Sequence, residues 1–463
     1  DFKITYDVTK GTTYYIGARE FNGDAIEGNV TLNVKLTVWK LPEGMTGKGT
    51  EAEPFVLKTA EHLAWFRDYV NGDHPNTCAK IADDVTEIDM STVCHEADGE
   101  KQVKELSWTP IGNSDNNMYQ GTFDGNGKII KNLYINATSS NTGFFGYLDR
   151  GSIKNITFDN AKVNSTKTDN TGILAGFAGY YCMIENIKTL VNCSVDGNMS
   201  TGGIAGNANG NIINCENRAV VKGTSYVGGV VGNYNGSDKS LTSCANYGAV
   251  TGSENKVGGM VGFFGIGTLQ NCVNYGDVTG VGDVGNLIGG VDRCNLNNVL
   301  GIGNVTATFG SAGLLVGRID GASSTASGIL AYNSSAKLTI NGTEQTGDAV
   351  KAIGEGSLTS AEKIKEFTAE QLKSGLVANQ LQKNVSGSAK WGQKLGTDNY
   401  PLLDSADEVY LDGDVTLNCL GEVKGTGIFT NTKPAQEGTF MFLHGDSPKH
   451  HDLVAVTCLT DGI

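Results

Sequence analysis

One six-residue pattern decides the fold: Val227-Gly-Gly-Val-Val-Gly232 returns 30 residues later as Val257-Gly-Gly-Met-Val-Gly262. Seven variants of it occur, and their first glycines lie 26 to 30 residues apart, at Gly143, Gly172, Gly202, Gly228, Gly258, Gly285 and Gly313. Between them lie short β-type runs separated by Gly, Asn and Asp turns, with no amphipathic stretch of helix length. A steady period of this size is typical of a repeat architecture.

A repeat of about 28 residues has room for three short strands and their corners, because a strand rises about 3.3 Å per residue. Such a unit is one coil of a parallel β-helix, in which successive coils stack through strand pairing. We therefore predict an all-β fold, a right-handed parallel β-helix (solenoid), whose hand follows from the crossover rule. The open ends of a solenoid expose unpaired backbone groups, so we also expect helical caps.

The chain divides into three predicted domains. Residues 1–40 alternate polar and apolar side chains around turns and are predicted to be the C-terminal part of a β-sandwich-like module. Residues 41–403 are predicted to be the capped β-helix, with the repeats at its core in residues 142–340. Residues 404–463 are expected to form a small, truncated β-rich module.

Two regions carry the signals of the caps. A helix is predicted after Thr59 as N-cap, with Leu63, Phe66 and Val70 on one face, and Asn71-Gly72 ends it. Near the other end, capping-box patterns begin at Thr359 and at Thr368. We expect these helices to close the two ends of the stack.

Several motifs together resemble the GLUG-motif β-helix proteins, large bacterial surface proteins of gut and oral bacteria that are classed as adhesins. These motifs are Gly49-Thr-Glu-Ala-Glu-Pro-Phe55, Trp108-Thr-Pro-Ile-Gly112, Gly121-Thr-Phe-Asp-Gly-Asn-Gly127 and the glycine doublets, within residues 45–403. The resemblance implies a secreted or cell-surface bacterial protein and a right-handed β-helix, and it carries over no catalytic residue. The motif also occurs in IgA-cleaving metallopeptidases, but the chain has no His-Glu-X-X-His sequence.

Charge and hydropathy exclude some partners. The chain has 35 basic and 50 acidic residues, a net charge of −15, and no cluster of Lys and Arg, so nucleic acid is not an expected partner. No apolar run approaches about 18 residues, so we predict no membrane span. The expected partner is a glycan or a host or bacterial surface protein, and the chain is expected to be part of a longer multidomain protein.

Three cysteines occupy one register of consecutive coils, and an asparagine follows two residues after each: Cys215, Cys244 and Cys272, with Asn217, Asn246 and Asn274. Alternation points both sets to the inside. Stacked Cβ atoms would lie near 4.8 Å apart, farther than a disulfide allows, so we predict a buried thiol ladder, with a metal or redox role as the alternative. The asparagines are predicted to hydrogen-bond one another. Elsewhere, Cys78 and Cys94 flank one strand and are a candidate disulfide.

Candidate ligand-binding residues are aromatic. Tyr247 and Tyr275 directly follow ladder asparagines, so alternation points them outward in adjacent coils, and Tyr234 and Tyr226 lie in a neighbouring coil. An aromatic strip on a rod offers a rigid apolar surface for stacking on sugar rings, and ordinary covering of a sheet face is the alternative. The Tyr180-Tyr181 pair adds further aromatic surface.

Catalytic, metal and cofactor sites are not predicted. Polysaccharide-cleaving β-helices need clustered carboxylates, whereas the acids of residues 197–313 are scattered, and only Asp277 and Asp283 approach across a corner. The leading hypothesis is thus a non-catalytic adhesin or binding module that contacts a glycan or host protein through its faces. The alternatives are a β-helix polysaccharide lyase or glycoside hydrolase, and a passive structural stalk of a larger surface protein.

Overall fold

The computed structural model describes residues 39–413 except 322 and 386, residues 427–434, and the backbone of further C-terminal strands. The β-sandwich-like module predicted for residues 1–40 therefore lies outside the described residues, apart from residues 39 and 40. Strands are numbered β1 to β44 in chain order. The helices are α1 (Ala60–Asn71), α2 (Ala369–Lys373) and α3 (Leu376–Lys383), with 3-10 turns at Met90–Thr92, Gly347–Ala349 and Ala361–Lys363. No helix in this part of the chain is long and apolar enough to cross a membrane.

The architecture is a parallel β-solenoid, as the repeat predicts. Its largest sheet has 22 strands and covers two sides of the coils. These strands are β1 (Phe55–Leu57), β2 (Ala79–Ile81), β3 (Glu87–Asp89), β4 (Thr122–Lys131), β6 (Phe145–Leu148), β7 (Ser152–Asp159), β9 (Ala175–Ala178), β10 (Met183–Thr189), β13 (Ala205–Ala208), β14 (Asn211–Ile213), β15 (Glu216–Asn217), β18 (Val231–Thr242), β19 (Ala245–Asn246), β22 (Val261–Gln270), β23 (Val273–Asn274), β26 (Ile288–Asn297), β27 (Val299–Gly301), β30 (Val316–Ile319), β31 (Thr325–Ala326), β32 (Leu330–Asn333), β35 (Ile353–Glu355) and β36 (Ile364–Phe367).

Two further sheets complete the coils. One has nine strands: β5 (Tyr134–Asn136), β8 (Lys162–Ser165), β11 (Ser194–Gly197), β16 (Val220–Gly223), β20 (Val250–Gly252), β24 (Val278–Gly280), β28 (Val305–Ala307), β33 (Leu338–Ile340) and β34 (Thr343–Glu344). The other has five: β12 (Thr201–Gly202), β17 (Val227–Gly228), β21 (Asn255–Gly258), β25 (Gly282–Gly285) and β29 (Ala312–Gly313). Pairing between coils is parallel and in register, as between Val227 and Val257. Among the paired strands of the described coils, only β33 and β34 run antiparallel, and isolated antiparallel bridges join Thr46 to Val56 and His95 to Leu106 near the N-terminal end.

The C-terminal part is β-rich and antiparallel. Its strands are β37 (Trp391–Gly392), β38 (Leu402–Leu403), β39 (Tyr410–Asp412), β40 (Val415–Leu417), β41 (Val423–Gly425), β42 (Ile428–Thr430), β43 (Gln436–His444) and β44 (Asp452–Thr460). They pair as β37 with β38, β39 with β42, β40 with β41 and β43 with β44.

Helix α1 begins and ends as predicted. The Thr59 side chain accepts a hydrogen bond from the backbone N–H of His62, and Gly72 is the C-cap. Leu63, Phe66 and Val70 are buried. The Phe66 ring packs 5.8 Å from that of Phe123 on β4, so the helix covers apolar side chains of the first coils.

The helices of the other end lie elsewhere than expected. Thr368 forms the predicted capping box at the start of α2. At Thr359, however, no α-helix begins, because its carbonyl accepts the backbone N–H of Ala326 and continues the ladder of the last coil. We call residues 368–403 the strap, since they pack along the side of the stack and do not close its end. The strap covers outward side chains of four consecutive coils: Ala245, Val273, Leu300 and Ala331.

The predicted cysteine ladder is present in the interior. Cys215, Cys244 and Cys272 are free thiols, each at most 1% exposed. The sulfur of Cys244 accepts the backbone N–H of Cys215 at 3.4 Å, and that of Cys272 accepts the N–H of Cys244 at 3.5 Å. The thiols therefore act as hydrogen-bond acceptors for corner backbone as well as apolar filling.

The asparagine ladder is also present. Asn217 Nδ2 donates to Asn246 Oδ1 at 2.8 Å, and Asn246 Nδ2 donates to Asn274 Oδ1 at 2.7 Å. All three amides are fully buried. The second glycine of each doublet makes room for them: a Cβ atom at Gly229 would lie 2.3 Å from Cγ of Asn246, and one at Gly259 would lie 2.2 Å from Cγ of Asn274.

The next coil exchanges the two residue types. Asn286 takes the place of the second glycine, and Gly301 takes the place of the ladder asparagine. A Cβ atom at Gly301 would lie 2.9 Å from Oδ1 of Asn286. Each coil thus has space for one amide, and either of the two positions supplies it.

The predicted disulfide between Cys78 and Cys94 is wrong. Both thiols are free and buried. The Cys78 sulfur accepts the N–H of Thr122 at 3.4 Å, and the Cys94 sulfur accepts the N–H of Tyr134 at 3.3 Å. Thr122 is the first residue of the ten-residue strand β4, and Tyr134 lies three residues after its end, so the two thiols contact opposite ends of this strand.

Candidate functional site

The tyrosines predicted to form an exposed strip are mostly covered. Tyr247 and Tyr275 point outward and stack with ring centroids 4.5 Å apart, as alternation predicts. Both pack in the apolar cluster formed with the strap, and the Tyr275 hydroxyl donates to the Pro401 carbonyl at 2.5 Å. The expectation of an open strip is wrong here, because a segment more than a hundred residues away in sequence lies over it.

The other two tyrosines are separated from this pair. Tyr234 is fully buried, and its hydroxyl donates to the Gly210 carbonyl at 3.0 Å, so it is a core residue. Tyr226 is half-buried at a corner of left-handed backbone (φ 54°) and stacks on Phe263 at 5.4 Å. The four predicted contact residues therefore do not form one surface.

The structure instead presents a cleft of about 450 Å³ at a corner of the last coils. Its walls come from the starts of β21 and β25, the loop before β29, and the strands β30 and β35. The side chains and glycines that line it are Asn255, Gly282, Asp283, Phe309, Gly310, Ser311, Arg318, Gly354 and Glu355. Because the coils stack in register, residues 100 positions apart in sequence share this site.

One wall of the cleft is an aromatic ring in solvent. Phe309 is 75% exposed, the highest value among the exposed large hydrophobic side chains of the described residues. Gly310 follows it with φ 77°, a left-handed conformation that a side chain disfavours. The turn therefore holds the Phe309 ring at the rim of the cleft, exposed to solvent, so the ring does not contribute to the core.

The other side chains that line the cleft are polar, and several of them form charge-assisted contacts. The Ser311 hydroxyl donates to Asp283 Oδ1 at 2.7 Å. Arg318 Nη1 lies 3.3 Å from Glu355 Oε2, and Arg318 Nε donates to Asp320 Oδ1 at 2.6 Å. These contacts hold the guanidinium and the carboxylates in fixed positions beside the ring.

This set of groups can hold a polar ligand with one apolar face. The ring offers a stacking surface, the Asn255 amide both donates and accepts hydrogen bonds, and the carboxylates of Asp283 and Glu355 accept hydrogen bonds from hydroxyl groups. In the described part of the chain, no three His, Cys, Asp or Glu side chains are grouped so as to hold a metal ion. Asp277, expected to approach Asp283, instead accepts from Asn304 at 3.0 Å and does not line the cleft.

The sequence pattern did not reveal this cleft. The residues that line it with Asp283, among them Arg318 and Glu355, lie far apart in the sequence and belong to different coils. In the sequence, Phe309 directly precedes Gly310. An aromatic residue beside a turn glycine is not expected to be buried, so this pair could have indicated an exposed ring. The strap could have been inferred from the outward position after each ladder cysteine. This position is charged in one coil (Glu216) but apolar in the next two (Ala245 and Val273), which indicates that something covers it there.

The chain is similar to short parts of two long proteins. No protein-family model matches it. Halomucin of Haloquadratum walsbyi is 31% identical over 186 residues, which are 38% of this chain and 2% of that protein. A candidate Gly-rich membrane protein of Evansella cellulosilytica is 30% identical over 113 residues, which are 24% of this chain and 11% of that protein. The chain thus spans a small fraction of the curated relatives it matches.

A solved structure aligns with most of the chain. It is that of a candidate immunoglobulin A1 protease from Bacteroides ovatus, with a TM-score of 0.47 and 22% sequence identity. The alignment covers 78% of this chain and 94% of that one.

Proposed function

We propose that this chain is the solenoid part of a bacterial cell-surface or secreted adhesin, of the GLUG-motif kind, that binds a saccharide without cleaving it. The sequence motifs support the surface assignment, and one relative is named as a membrane protein. The binding role rests on the cleft, and above all on the ring of Phe309, which is 75% exposed at its rim.

A saccharide fits the chemistry of the cleft. A sugar ring has an apolar face of axial C–H groups, which stacks on an aromatic ring, and a rim of hydroxyls, which pair with amides, carboxylates and guanidinium groups. The cleft supplies both: Phe309 is the stacking ring, and Asp283, Arg318 and Glu355 are the polar groups.

A glycan-array screen tests the proposal. We expect the wild-type chain to bind a defined set of glycans and Phe309→Ala to lose about tenfold in affinity, since a buried ring contact of this kind contributes up to ~1.5 kcal/mol. Asn255→Ala is expected to weaken the same glycans. Val191→Ala is the matched control, because Val191 is a comparably exposed hydrophobic residue (72%) outside the cleft. Equal binding by all variants contradicts the proposal, and no binding by the wild type favours a passive stalk.

A second candidate function has one observation in its favour. Asp283 and Glu355 both line the cleft, and two carboxylates facing one saccharide are the equipment of a glycoside hydrolase. Each carboxylate already has a partner, Ser311 for Asp283 and Arg318 for Glu355, which favours binding over acid–base chemistry. Release of reducing ends from a bound glycan, abolished in Glu355→Gln, would establish the enzyme instead.

A further inference from the structure

A second group of aromatic and cationic side chains lies on another corner of the rod, outside the cleft, with Arg150 and Tyr181 exposed and Tyr180 and Lys239 half-buried. Tyr180 and Tyr181 form a T-shaped pair with ring centroids 5.1 Å apart and planes at 84°. Tyr181 is 64% exposed. Two cations flank the pair: Arg150 lies 5.5 Å from the Tyr181 ring centroid, and Lys239 lies 4.3 Å from that of Tyr180.

The lysine reaches this corner through an irregularity in the repeat. Strand β18 has four residues between Asn235 and Ser240, where the next coil has only Gly267 between Ile266 and Thr268. Because the four residues 236–239 stand opposite one, the segment bulges, and the half-buried Lys239 at its end places its Nζ 4.3 Å from the Tyr180 ring centroid. Bulges of this kind commonly re-aim a side chain toward a functional surface.

The coil between those of Tyr180 and Lys239 has a glycine at this corner. Between the coil of Tyr180 and that of Lys239, the corner consists of Asn209 and Gly210. Gly210 packs so closely on the coil below that a Cβ atom there would lie 2.4 Å from the Cys182 carbonyl oxygen. With no side chain at this position, Lys239 extends across the corner to the Tyr180 ring.

The arginine comes from the coil on the other side. Arg150 has left-handed backbone (φ 64°) directly after Asp149, and its side chain is 68% exposed. Arg150 Nε lies 3.7 Å from Asp149 Oδ2, and the exposed guanidinium keeps further N–H donors that point to solvent. Two acidic residues also lie at this corner, Asp149 and the exposed Asp238. The positive charge is therefore confined to Arg150 and Lys239, which contact the two tyrosine rings.

We propose that this corner, formed by Arg150, Tyr180, Tyr181 and Lys239, binds a saccharide that carries carboxylate or sulfate groups. The exposed face of Tyr181 stacks on the sugar ring, and the two cations receive acidic groups on either side of it. On a chain of net charge −15, long-range attraction of a polyanion is absent, so affinity comes from these local contacts. An acidic peptide meets the cations but not the flat, open face of Tyr181.

Biolayer interferometry with the full chain tests this inference. The probes are polygalacturonate for carboxylates, heparin for sulfates, and neutral dextran. We expect binding to one or both anionic polymers, none to dextran, and a steady loss of affinity between 50 and 300 mM NaCl as salt screens the contacts. Tyr181→Ala, Lys239→Gln and Arg150→Gln are each expected to weaken binding about tenfold.

Two controls separate this site from other causes. Lys167→Gln removes an exposed positive charge elsewhere on the rod and is expected to change nothing. Phe309→Ala is expected to leave this binding intact, so failure of the cleft and failure of this corner are distinguishable. Unchanged circular dichroism confirms folding of each variant. Equal binding by Lys239→Gln, equal binding of dextran, or binding of polyglutamate in preference to both anionic polysaccharides overturns the inference.

Discussion

The ladder cysteines occupy a column that is otherwise aliphatic. Ile156 and Ile187 precede them in the stack, and Val299 and Leu330 follow. In such surroundings the thiolate is disfavoured, and burial raises the pKa of Cys215 and Cys244 well above the usual range. The thiol is therefore the stable form throughout the physiological range, which suits packing and not redox chemistry.

Buried thiols give the protein a pH dependence on the alkaline side. Burial raises the pKa of Cys182 from 9.0 to about 11, so above pH 9 the unfolded chain releases a proton that the folded chain retains. Stability then falls as pH rises. We expect the free energy of unfolding to drop between pH 8 and pH 10 by about 1 kcal/mol for this thiol alone.

Urea unfolding at the two pH values measures this effect. Cys182→Ala is expected to show a smaller loss than the wild type by about 1 kcal/mol, because the other titrating groups are common to both proteins. Identical losses in the two proteins would show that Cys182 ionises equally in the folded and unfolded states.

At the scale of the strand and coil, the glycine doublet and the ladder asparagine form one unit. In the coil of β26 and β27 the amide comes from Asn286, and its Oδ1 is buried without a hydrogen-bond partner. Asn274 above it donates Nδ2 to the Gly276 carbonyl at 2.7 Å and finds no ladder asparagine in this coil. The exchange of residue types therefore interrupts the ladder.

A double-mutant cycle tests this pairing. Gly301→Asn alone is expected to destabilise the fold by about 2 kcal/mol, since the new side chain meets Asn286, and Asn286→Gly alone by about 1 kcal/mol. The double variant moves the amide to the ladder position beside Asn274. We expect it to be as stable as the wild type or more so.

Thermal and urea unfolding give the coupling energy. The expected coupling energy is about 3 kcal/mol or more, and additive losses in the double variant would refute the shared space. Gly321→Ala is a control for general crowding, because a Cβ atom there would lie 2.1 Å from the Asp292 carbonyl oxygen, away from the ladder.

The strap is the second element with a testable role. Leu381 of α3 is fully buried in the cluster that covers Tyr247, Tyr275 and the outward column of Ala245. We expect Leu381→Asp to release the strap while the coils keep their β-structure, because the ladders do not depend on it. The uncovered apolar face then associates with other copies.

Light scattering and dye binding detect this outcome. Lys383→Asp on the same helix is the control, since Lys383 is exposed, and it is expected to remain like the wild type. Loss of the β-sheet circular dichroism signal in Leu381→Asp would mean that the strap is required for the coils themselves.

At the scale of the whole molecule, the sequence predicts what repeats and misses what does not. The period of glycine doublets such as Gly228-Gly229 is enough for the coils, their parallel register and the two inward ladders, because each coil imposes the same constraint on the next. The cover over Tyr247 comes from a helix that repeats nowhere, and the cleft joins Asp283 to Glu355 across coils. Alternation indicates that a side chain points outward, but it carries no information about what lies outside.

The stack and its strap also define how the rod responds to tension. Hydrogen bonds between coils run along the rod axis, so a pull on the chain at one end opens them one after another and the solenoid peels coil by coil. Each coil of about 28 residues releases about 95 Å of chain. The strap, fastened to four coils by α3 and the bond from Tyr275 to Pro401, has to detach before those coils unwind. Along the rod, yielding is therefore graded: coils without a covering helix are held by their neighbours alone, and the four coils from Ala245 to Ala331 are held by the strap as well.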